Sequence, residues 1–85
     1  MPFVYILRCR DGSLYTGATL SLERRLEQHA SGSASRYTRS RLPVKLVWSR
    51  RTRTWSRALQ EERRIKSLAR ADKETLVAAC RTSRR

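Results

Sequence analysis

Two short runs of strand-forming residues, joined by a turn signal, constrain this chain more than any other feature of its sequence. Residues 3–9 (FVYILRC) are rich in β-branched and aromatic side chains, and residues 14–19 (LYTGAT) follow after Asp11-Gly12-Ser13. This pattern predicts a β-hairpin. Because strand residues alternate faces, a two-residue Asp11-Gly12 turn would put Tyr5 and Tyr15 on opposite sides. We expect a three- or five-residue turn, or a bulge, that brings the two tyrosines to one face.

The middle of the chain predicts a helix, a loop and a third strand. Ser21 can cap a helix whose apolar stripe contains Leu22 and Leu26, and Ser31-Gly32-Ser33 ends it after His29. Residues 32–43 form a polar, arginine-rich loop. Residues 44–48 (VKLVW) follow as a strand with apolar alternation at Val44, Leu46 and Trp48.

The C-terminal part predicts two further helices. Thr54 or Ser56 can start the first, and Asp72 can cap the second. The first has apolar residues on one side, namely Ala58, Leu59, Ile65, Leu68 and Ala69. The order ββαβαα predicts a small α/β (α+β) fold with a three-stranded, mainly antiparallel sheet flanked by helices.

Length and charge restrict the class of protein. A chain of 85 residues has room for one core, so we expect a single domain over residues 1–85, with a frayed basic tail at 81–85. The net charge is +13 and 17 of the 20 basic residues are arginine, which suits bidentate contact with phosphate. Nucleic acid is therefore the expected partner.

Other classes of protein are disfavoured by the composition. No apolar run approaches the roughly 18 residues of a membrane span, and residues 1–10 lack the order of a signal peptide, so we expect a cytoplasmic protein without a membrane partner. Cys9 and Cys80 lie far apart and outside any C-x-x-C unit. We expect two buried free thiols rather than a zinc site.

Three groups of residues are candidates for chemistry. Arg25 and His29 lie four residues apart on the first helix, so they share a face, although such pairs are usually solvated. Glu62 lies on the apolar side of the second helix, where a carboxylate needs a partner, and metal binding and a salt bridge with an arginine are about equally expected. Glu61 competes with it but lies further from the centre of the stripe. Tyr5 and Tyr15 taken alone are ordinary strand residues.

Basic residues interleaved with an aromatic residue suggest contacts with a nucleic-acid backbone. The loop places Arg36, Arg39 and Arg41 around Tyr37, a mixture that can bind phosphates and stack a base, or simply be a solvated loop. The alternative footprint consists of Arg50, Arg51 and Arg53.

Taken together, these residues resemble the GIY-YIG nuclease superfamily, and most closely its small stand-alone bacterial members, the YhbQ-like group. The resemblance covers nearly the whole chain. Its first tripeptide corresponds to Phe3-Val4-Tyr5, its second to Tyr15-Thr16-Gly17, its first helix to residues 22–29, and its metal-site helix to residues 58–66, which include Lys66. Phe3, Val4 and Thr16 depart from the family tripeptides, and the chain contains no asparagine.

The resemblance implies an endonuclease site for DNA that depends on Mg²⁺ or Mn²⁺, built from Tyr5, Tyr15, Arg25, His29 and Glu62. Tyr5 would orient or deprotonate water, Tyr15 and His29 would hydrogen-bond the nucleophile or phosphate, Arg25 would stabilise charge, and Glu62 would hold the metal. Whether Tyr5 or His29 takes the proton stays open, because a tyrosine of ordinary pKa is a poor base at neutral pH. The alternative is a DNA- or RNA-binding module that keeps the fold with little turnover.

Overall fold

The computed structural model describes residues 1–83, with side chains described through residue 79. These residues form three strands and four helices in the order β1 (Phe3–Arg8), β2 (Leu14–Thr19), α1 (Leu22–Ser31), α2 (Arg36–Arg39), β3 (Lys45–Arg51), α3 (Trp55–Lys66) and α4 (Arg70–Ser83). The predicted α+β class and the order ββαβαα are confirmed, with α2 as one added turn inside the predicted loop.

The hairpin of β1 and β2 has the register that the shared face requires. Five residues, 9–13, separate the strands, and the Cys9 amide donates to the Ser13 carbonyl at 2.9 Å. Gly12 takes a φ of +87° in this turn, a backbone conformation that residues with a side chain rarely adopt. Tyr5 pairs with Gly17 and Tyr15 pairs with Leu7. Tyr5 and Tyr15 therefore lie on the same face of the sheet, as predicted.

The third strand corrects one prediction. The sheet is antiparallel in the order β2-β1-β3, and the pairing of β1 with β3 shifts between Ile6 and Leu7. Trp48 pairs with Ile6 and Leu46 with Leu7, so Leu46 and Trp48 face opposite sides of the sheet. The predicted alternation of Val44, Leu46 and Trp48 on one face is wrong because the bulge at Val47 interrupts it.

One face of the sheet carries the apolar core. Val4 and Ile6 of β1 and Trp48 of β3 pack there against helices α3 and α4 through Ala58, Ile65 and Val77. The other face carries Tyr5 and Leu7, which are also almost completely buried. Helix α1 meets this second face through His29, whose side chain contacts Tyr5. The central strand thus has a core on one side and a buried polar group on the other.

The helix ends follow their capping residues. The Ser21 hydroxyl caps α1 at the Arg24 amide, and the Thr54 hydroxyl caps α3 at the Arg57 amide. Helix α3 ends at Lys66, so Leu68 and Ala69 lie beyond it, contrary to the prediction. Helix α4 begins at Arg70 rather than after Asp72, because the amides of residues 72 and 73 already bond to the Ala69 carbonyl.

The frayed tail expected at residues 81–85 stays a prediction. Helix α4 itself continues to Ser83. Residues 84 and 85, like the Cys80 side chain, lie outside what the structure describes, whereas Cys9 is a buried free thiol as expected. No helix in the described part of the chain is long and apolar enough to cross a membrane.

Candidate active site

A line of three buried polar side chains connects β1, α1 and α2. The Tyr5 hydroxyl lies 2.9 Å from His29 Nε2, and His29 Nδ1 lies 2.9 Å from Thr38 Oγ1. His29 and Thr38 are 0% exposed and Tyr5 is 1% exposed. Because burying polar groups is unfavourable unless they are paired, each of these residues depends on the next for its partner.

The hydrogen bonds of Thr38 define the tautomer of His29. The Thr38 hydroxyl donates its only proton to the Ser35 carbonyl at 3.3 Å. It must therefore accept a hydrogen bond from His29, which places the imidazole proton on Nδ1. The lone pair of Nε2 is then free to accept from the Tyr5 hydroxyl. This tautomer is inferred from the hydrogen-bond network. It leaves His29 Nε2 as the acceptor for the Tyr5 hydroxyl.

The electrostatic environment keeps both groups neutral. Burial raises the pKa of Tyr5 well above its usual value of 10, the Tyr15 and Glu62 charges raise it further, and Arg25 opposes them. Burial lowers the pKa of His29, and the Arg25 guanidinium lowers it further. At neutral pH the pair is a phenol bonded to a neutral imidazole, with Arg25 close enough to act on both.

Gly17 makes room for the tyrosine. A Cβ atom at this position would lie 2.5 Å from Tyr5 Oη and 2.7 Å from Cζ. Gly17 faces Tyr5 directly across the β1–β2 pair, so any larger residue would push the ring away from His29.

Tyr15 borders the same group and extends it toward the surface. Its ring packs edge-on to His29 at 5.3 Å and stacks on Tyr37 at 5.8 Å. The Arg41 guanidinium covers the Tyr37 ring at 3.9 Å and pairs with Asp11 at 3.0 Å. The ring of Tyr37 is thus already in contact with two side chains of the chain itself.

The two glutamates proposed from the sequence have different surroundings. Glu61 is bonded to Arg50 at 2.6 Å and to Arg64 at 2.8 Å, and the Arg64 hydrogen bond holds the pKa of that carboxyl below its usual value. Glu62 lies on α3 between the buried residues Ala58 and Ile65, and its side chain is 20% exposed. Lys66, one turn further along the same helix, pairs with it at 3.2 Å. The salt bridge to an arginine that was the alternative for Glu62 belongs to Glu61.

The basic residues divide into paired and unpaired groups. Among the arginines proposed from the sequence for contacts with nucleic acid, Arg41 and Arg50 pair with carboxylates. The others are exposed and form no ion pair in the described part of the chain, namely Arg36, Arg39, Arg51 and Arg53. Arg51 and Arg53 line an open groove of about 570 Å³ between the end of β3 and helix α3, together with Arg57 and Arg64.

Comparison with known proteins agrees with this geometry. A family model described as the GIY-YIG catalytic domain matches residues 1–75. The chain belongs to the GIY-YIG family. It is 51% identical over 76 residues to a UPF0213 protein of Natronomonas pharaonis, covering 89% of each chain. It is 49% identical over 75 residues to a UPF0213 protein of Oceanobacillus iheyensis, covering 88% of this chain and 87% of the relative.

A solved structure supports the same assignment. The solution NMR structure of a UPF0213 protein from Bacillus halodurans has a TM-score of 0.61 and 44% identity, and the match covers 93% of this chain and 85% of that one. The resemblance expected from the sequence is therefore confirmed, and it extends to small UPF0213 proteins of archaea as well as bacteria. The chain has a nuclease-type fold.

The two GIY-YIG tripeptides have a direct structural explanation. Phe3-Val4-Tyr5 lies in β1 and Tyr15-Thr16-Gly17 in β2, and the register sets the tyrosine of the first opposite the glycine of the second. His29 reaches this pair from α1 and contacts both Tyr5 and Tyr15. The charges of Arg25 on α1 and Glu62 on α3 act on the pKa of Tyr5 in opposite directions.

Two further residues of interest were not proposed for any role. Thr38 lies in the loop that was interpreted as polar and arginine-rich, and its small side chain gave no signal of burial. Trp55 is the first residue of α3 and is 43% exposed. The signal in the sequence is a tryptophan directly after a capping threonine. Neither capping nor helix formation calls for a tryptophan at that position, so it is a candidate for binding.

Proposed function

We propose that this chain is a metal-dependent endonuclease that hydrolyses phosphodiester bonds in DNA, with Tyr5, Tyr15, Arg25, His29 and Glu62 as its catalytic residues. The buried hydrogen bond between Tyr5 and His29 carries the proposal. Its 2.9 Å length lies within the range for proton transfer, and its acceptor is neutral. The fold supports a nucleic-acid substrate, and DNA is the form that we propose.

The proton of the attacking water is proposed to end on His29. The raised pKa of Tyr5 means that the phenol is not ionised beforehand at neutral pH, so Tyr5 can accept a proton only while releasing its own. Water gives a proton to Tyr5 Oη, Tyr5 passes its proton to His29 Nε2, and the water oxygen bonds to phosphorus as the leaving oxygen departs. The thermodynamic base is then His29, and Tyr5 is the relay.

The remaining residues act on the phosphate. Arg25 supplies positive charge beside Tyr5 and His29, where the transition state accumulates negative charge. The Tyr15 hydroxyl is a hydrogen-bond donor for the nucleophile or the scissile phosphate. In the wider basic surface we propose contacts with the nucleic-acid backbone from Arg36, Arg39, Arg50, Arg51, Arg53 and Lys66. Of the other residues expected from the sequence, Tyr37 and Arg41 are already engaged within the chain.

Glu62 is the carboxylate whose charge acts on Tyr5, and it is the residue proposed to hold a divalent metal. The described part of the chain contains no group of three or more histidine, cysteine or acidic residues that could hold a metal. We therefore do not propose a site in which protein side chains supply all of the ligands. Mg²⁺ commonly uses one or two carboxylates and completes its coordination with water and substrate phosphates. Glu62, whose one ion pair in the described part of the chain is with Lys66, can supply that carboxylate. When bound, Mg²⁺ or Mn²⁺ adds positive charge beside the scissile phosphate.

Glu62→Gln tests the proposal, with Glu61→Gln as the matched control on the adjacent position. We expect Glu62→Gln to lose metal-dependent cleavage of branched, nicked and single-stranded DNA by about 100-fold or more. Its free energy of unfolding should change by less than about 1 kcal/mol, because an i, i+4 pair with a solvent-exposed lysine contributes little and glutamine keeps the shape of the side chain. Glu61→Gln should retain cleavage although it loses two ion pairs.

A basic binding module with the nuclease fold is the second candidate, favoured by the net charge of +13 and the arginine-lined groove. Both functions predict salt-sensitive binding, so binding alone does not separate them. Absence of Mg²⁺- or Mn²⁺-dependent cleavage by the native protein on every substrate would favour the module. Competition between RNA and DNA then identifies its ligand.

A further inference from the structure

A second groove lies beside the candidate active site and has no role in the proposal above. It has a volume of about 330 Å³ and is formed where the end of β2 and the start of α1 meet the start of α3. Its lining includes Leu20, Arg24, Arg25, Gln28 and Trp55. A groove of this size is at the lower end of the range for small-ligand sites.

Trp55 is the aromatic surface of this groove. Its side chain is 43% exposed, whereas Trp48 is 6% exposed in the core. Among the described residues Trp55 has no ring stacking and no cation–π contact, in contrast to Tyr37, which lies between Tyr15 and Arg41. Trp55 is therefore better suited than Tyr37 to receive a ring from outside the protein.

The polar groups of the groove match a nucleotide. Arg24 and Gln28 lie four residues apart on α1 and so share a face, which offers a cation and an amide to the same ligand. No carboxylate lines the groove, and in the described part of the chain neither Arg24 nor Arg25 forms an ion pair. An aromatic face, an amide and uncompensated guanidinium groups are together suited to a base and its phosphate.

The groove shares Arg25 with the proposed active site. Arg25 lines the groove and also lowers the pKa of both Tyr5 and His29. Trp55 and Glu62 lie seven residues apart, hence on one side of α3 and about 10 Å from each other along its axis. A strand whose phosphate lies at Arg25 and Glu62 therefore has its neighbouring nucleotide near Trp55.

We propose that this groove binds one unpaired nucleotide next to the scissile phosphate, with its base stacked on Trp55 and its phosphate at Arg24. The nucleotide must be unpaired because both faces of a base inside a duplex are already covered by its neighbours. The proposal rests on the proposed function for the position of the scissile phosphate. It narrows the substrate to DNA with an unpaired nucleotide at the cut.

Trp55 fluorescence measures occupancy of the groove directly. The full chain carrying Glu62→Gln is titrated, without metal, with a short single-stranded DNA oligonucleotide and with a blunt duplex of equal length. We expect the single strand to quench the exposed tryptophan and the duplex to quench it far less. The buried Trp48 contributes a background emission that DNA should not quench. The Trp55→Leu variant measures this background by itself.

Affinity measurements with two variants complete the test. Trp55→Leu should bind the single strand about tenfold more weakly, as expected for loss of one stacked base, and bind the duplex within about twofold of the parent. Trp55→Phe keeps a stacking face and should recover most of the loss. Unquenched Trp55 emission at saturating single strand, or equal losses for single strand and duplex, would overturn the proposal.

The outcome is separable from that of the nuclease proposal. Cleavage is measured with Mg²⁺ on the protein with Glu62 intact, and quenching is measured without it. Quenching without any cleavage would leave the groove as a nucleotide site on a protein that is not a nuclease. Cleavage of DNA by a protein whose Trp55 is not quenched would refute the groove and leave the nuclease proposal in place.

Discussion

At the residue scale, the site depends on a histidine that is buried and uncharged. His29 is completely buried, with a neutral hydrogen-bond partner on each ring nitrogen. The hydrogen bond from Tyr5 lets Nε2 accept a proton, but the protonated form of His29 is disfavoured. Burial and the Arg25 charge both lower the pKa of His29. A base of this kind returns its proton readily once the reaction is over.

Thr38 is expected to be a positioning residue for this histidine. Thr38→Val keeps the shape and removes the acceptor from the Nδ1 proton, so His29 should no longer hold a single tautomer. His29 is the only histidine in the chain, so ¹⁵N NMR signals of histidine report it without ambiguity. We expect Nδ1–H with unprotonated Nε2 in the native protein and a mixture in the variant. An Nε2–H tautomer in the native protein would contradict the assignment.

The lowered pKa of His29 also makes stability depend on pH. The unfolded chain takes up a proton near pH 6.5, whereas the folded chain takes it up only at lower pH. The free energy of unfolding should therefore fall as the pH is lowered from about 6.5 to the folded pKa. Chemical denaturation across this range measures the effect, and it should be absent in a folded variant that lacks the imidazole, His29→Gln. A loss of equal size in that variant would assign the pH dependence to other groups.

At the scale of elements, local signals predicted the parts that capping and pairing control. The length of the hairpin turn followed from the requirement that Tyr5 and Tyr15 share one face of the sheet. Helices α1 and α3 begin directly after Ser21 and Thr54, the hydroxyl residues predicted to cap them. The bulge at Val47 was not predictable, because the apolar residues there satisfy a regular alternation equally well. Helix α2 was missed for a different reason: it is one turn long and is stabilised by contacts with the hairpin, not by an apolar stripe.

Those contacts suggest what Tyr37 does. Tyr37→Leu should loosen α2, because the stack with Tyr15 and Arg41 connects it to the hairpin. The amides of Arg39 and Arg41, which bond to the carbonyls of Ser35 and Thr38, should exchange about tenfold faster with deuterium. Affinity for single-stranded DNA should change by less than about twofold. A large loss of affinity with unchanged exchange would give Tyr37 the base-stacking role that the sequence suggested.

At the scale of the whole molecule, the charge is distributed over several surfaces, and part of it is neutralised internally. Composition predicted a polyanion partner, but it could not show which arginines are already paired. Glu74 of α4 pairs with Arg8 of β1, which fastens α4 to the hairpin, and with Arg70 on its own helix. Glu61 pairs with Arg50 and Arg64. Since seven acidic residues face 20 basic ones, most positive charge remains available to phosphate.

The salt dependence of DNA binding tests where that charge is used. If all three arginines of the α2 loop touched phosphates, Arg36→Ala/Arg39→Ala/Arg41→Ala would lower the slope of log affinity against log salt by up to about three. Because Arg41 already pairs with Asp11, we expect Arg41→Ala alone to change the slope little and the other two to account for about two. The matched pair Arg51→Ala/Arg53→Ala, at the groove beside α3, is measured in the same series. If that pair lowers the slope and the loop variants do not, the footprint lies across β3 and α3, and the loop serves only to hold Thr38 against His29.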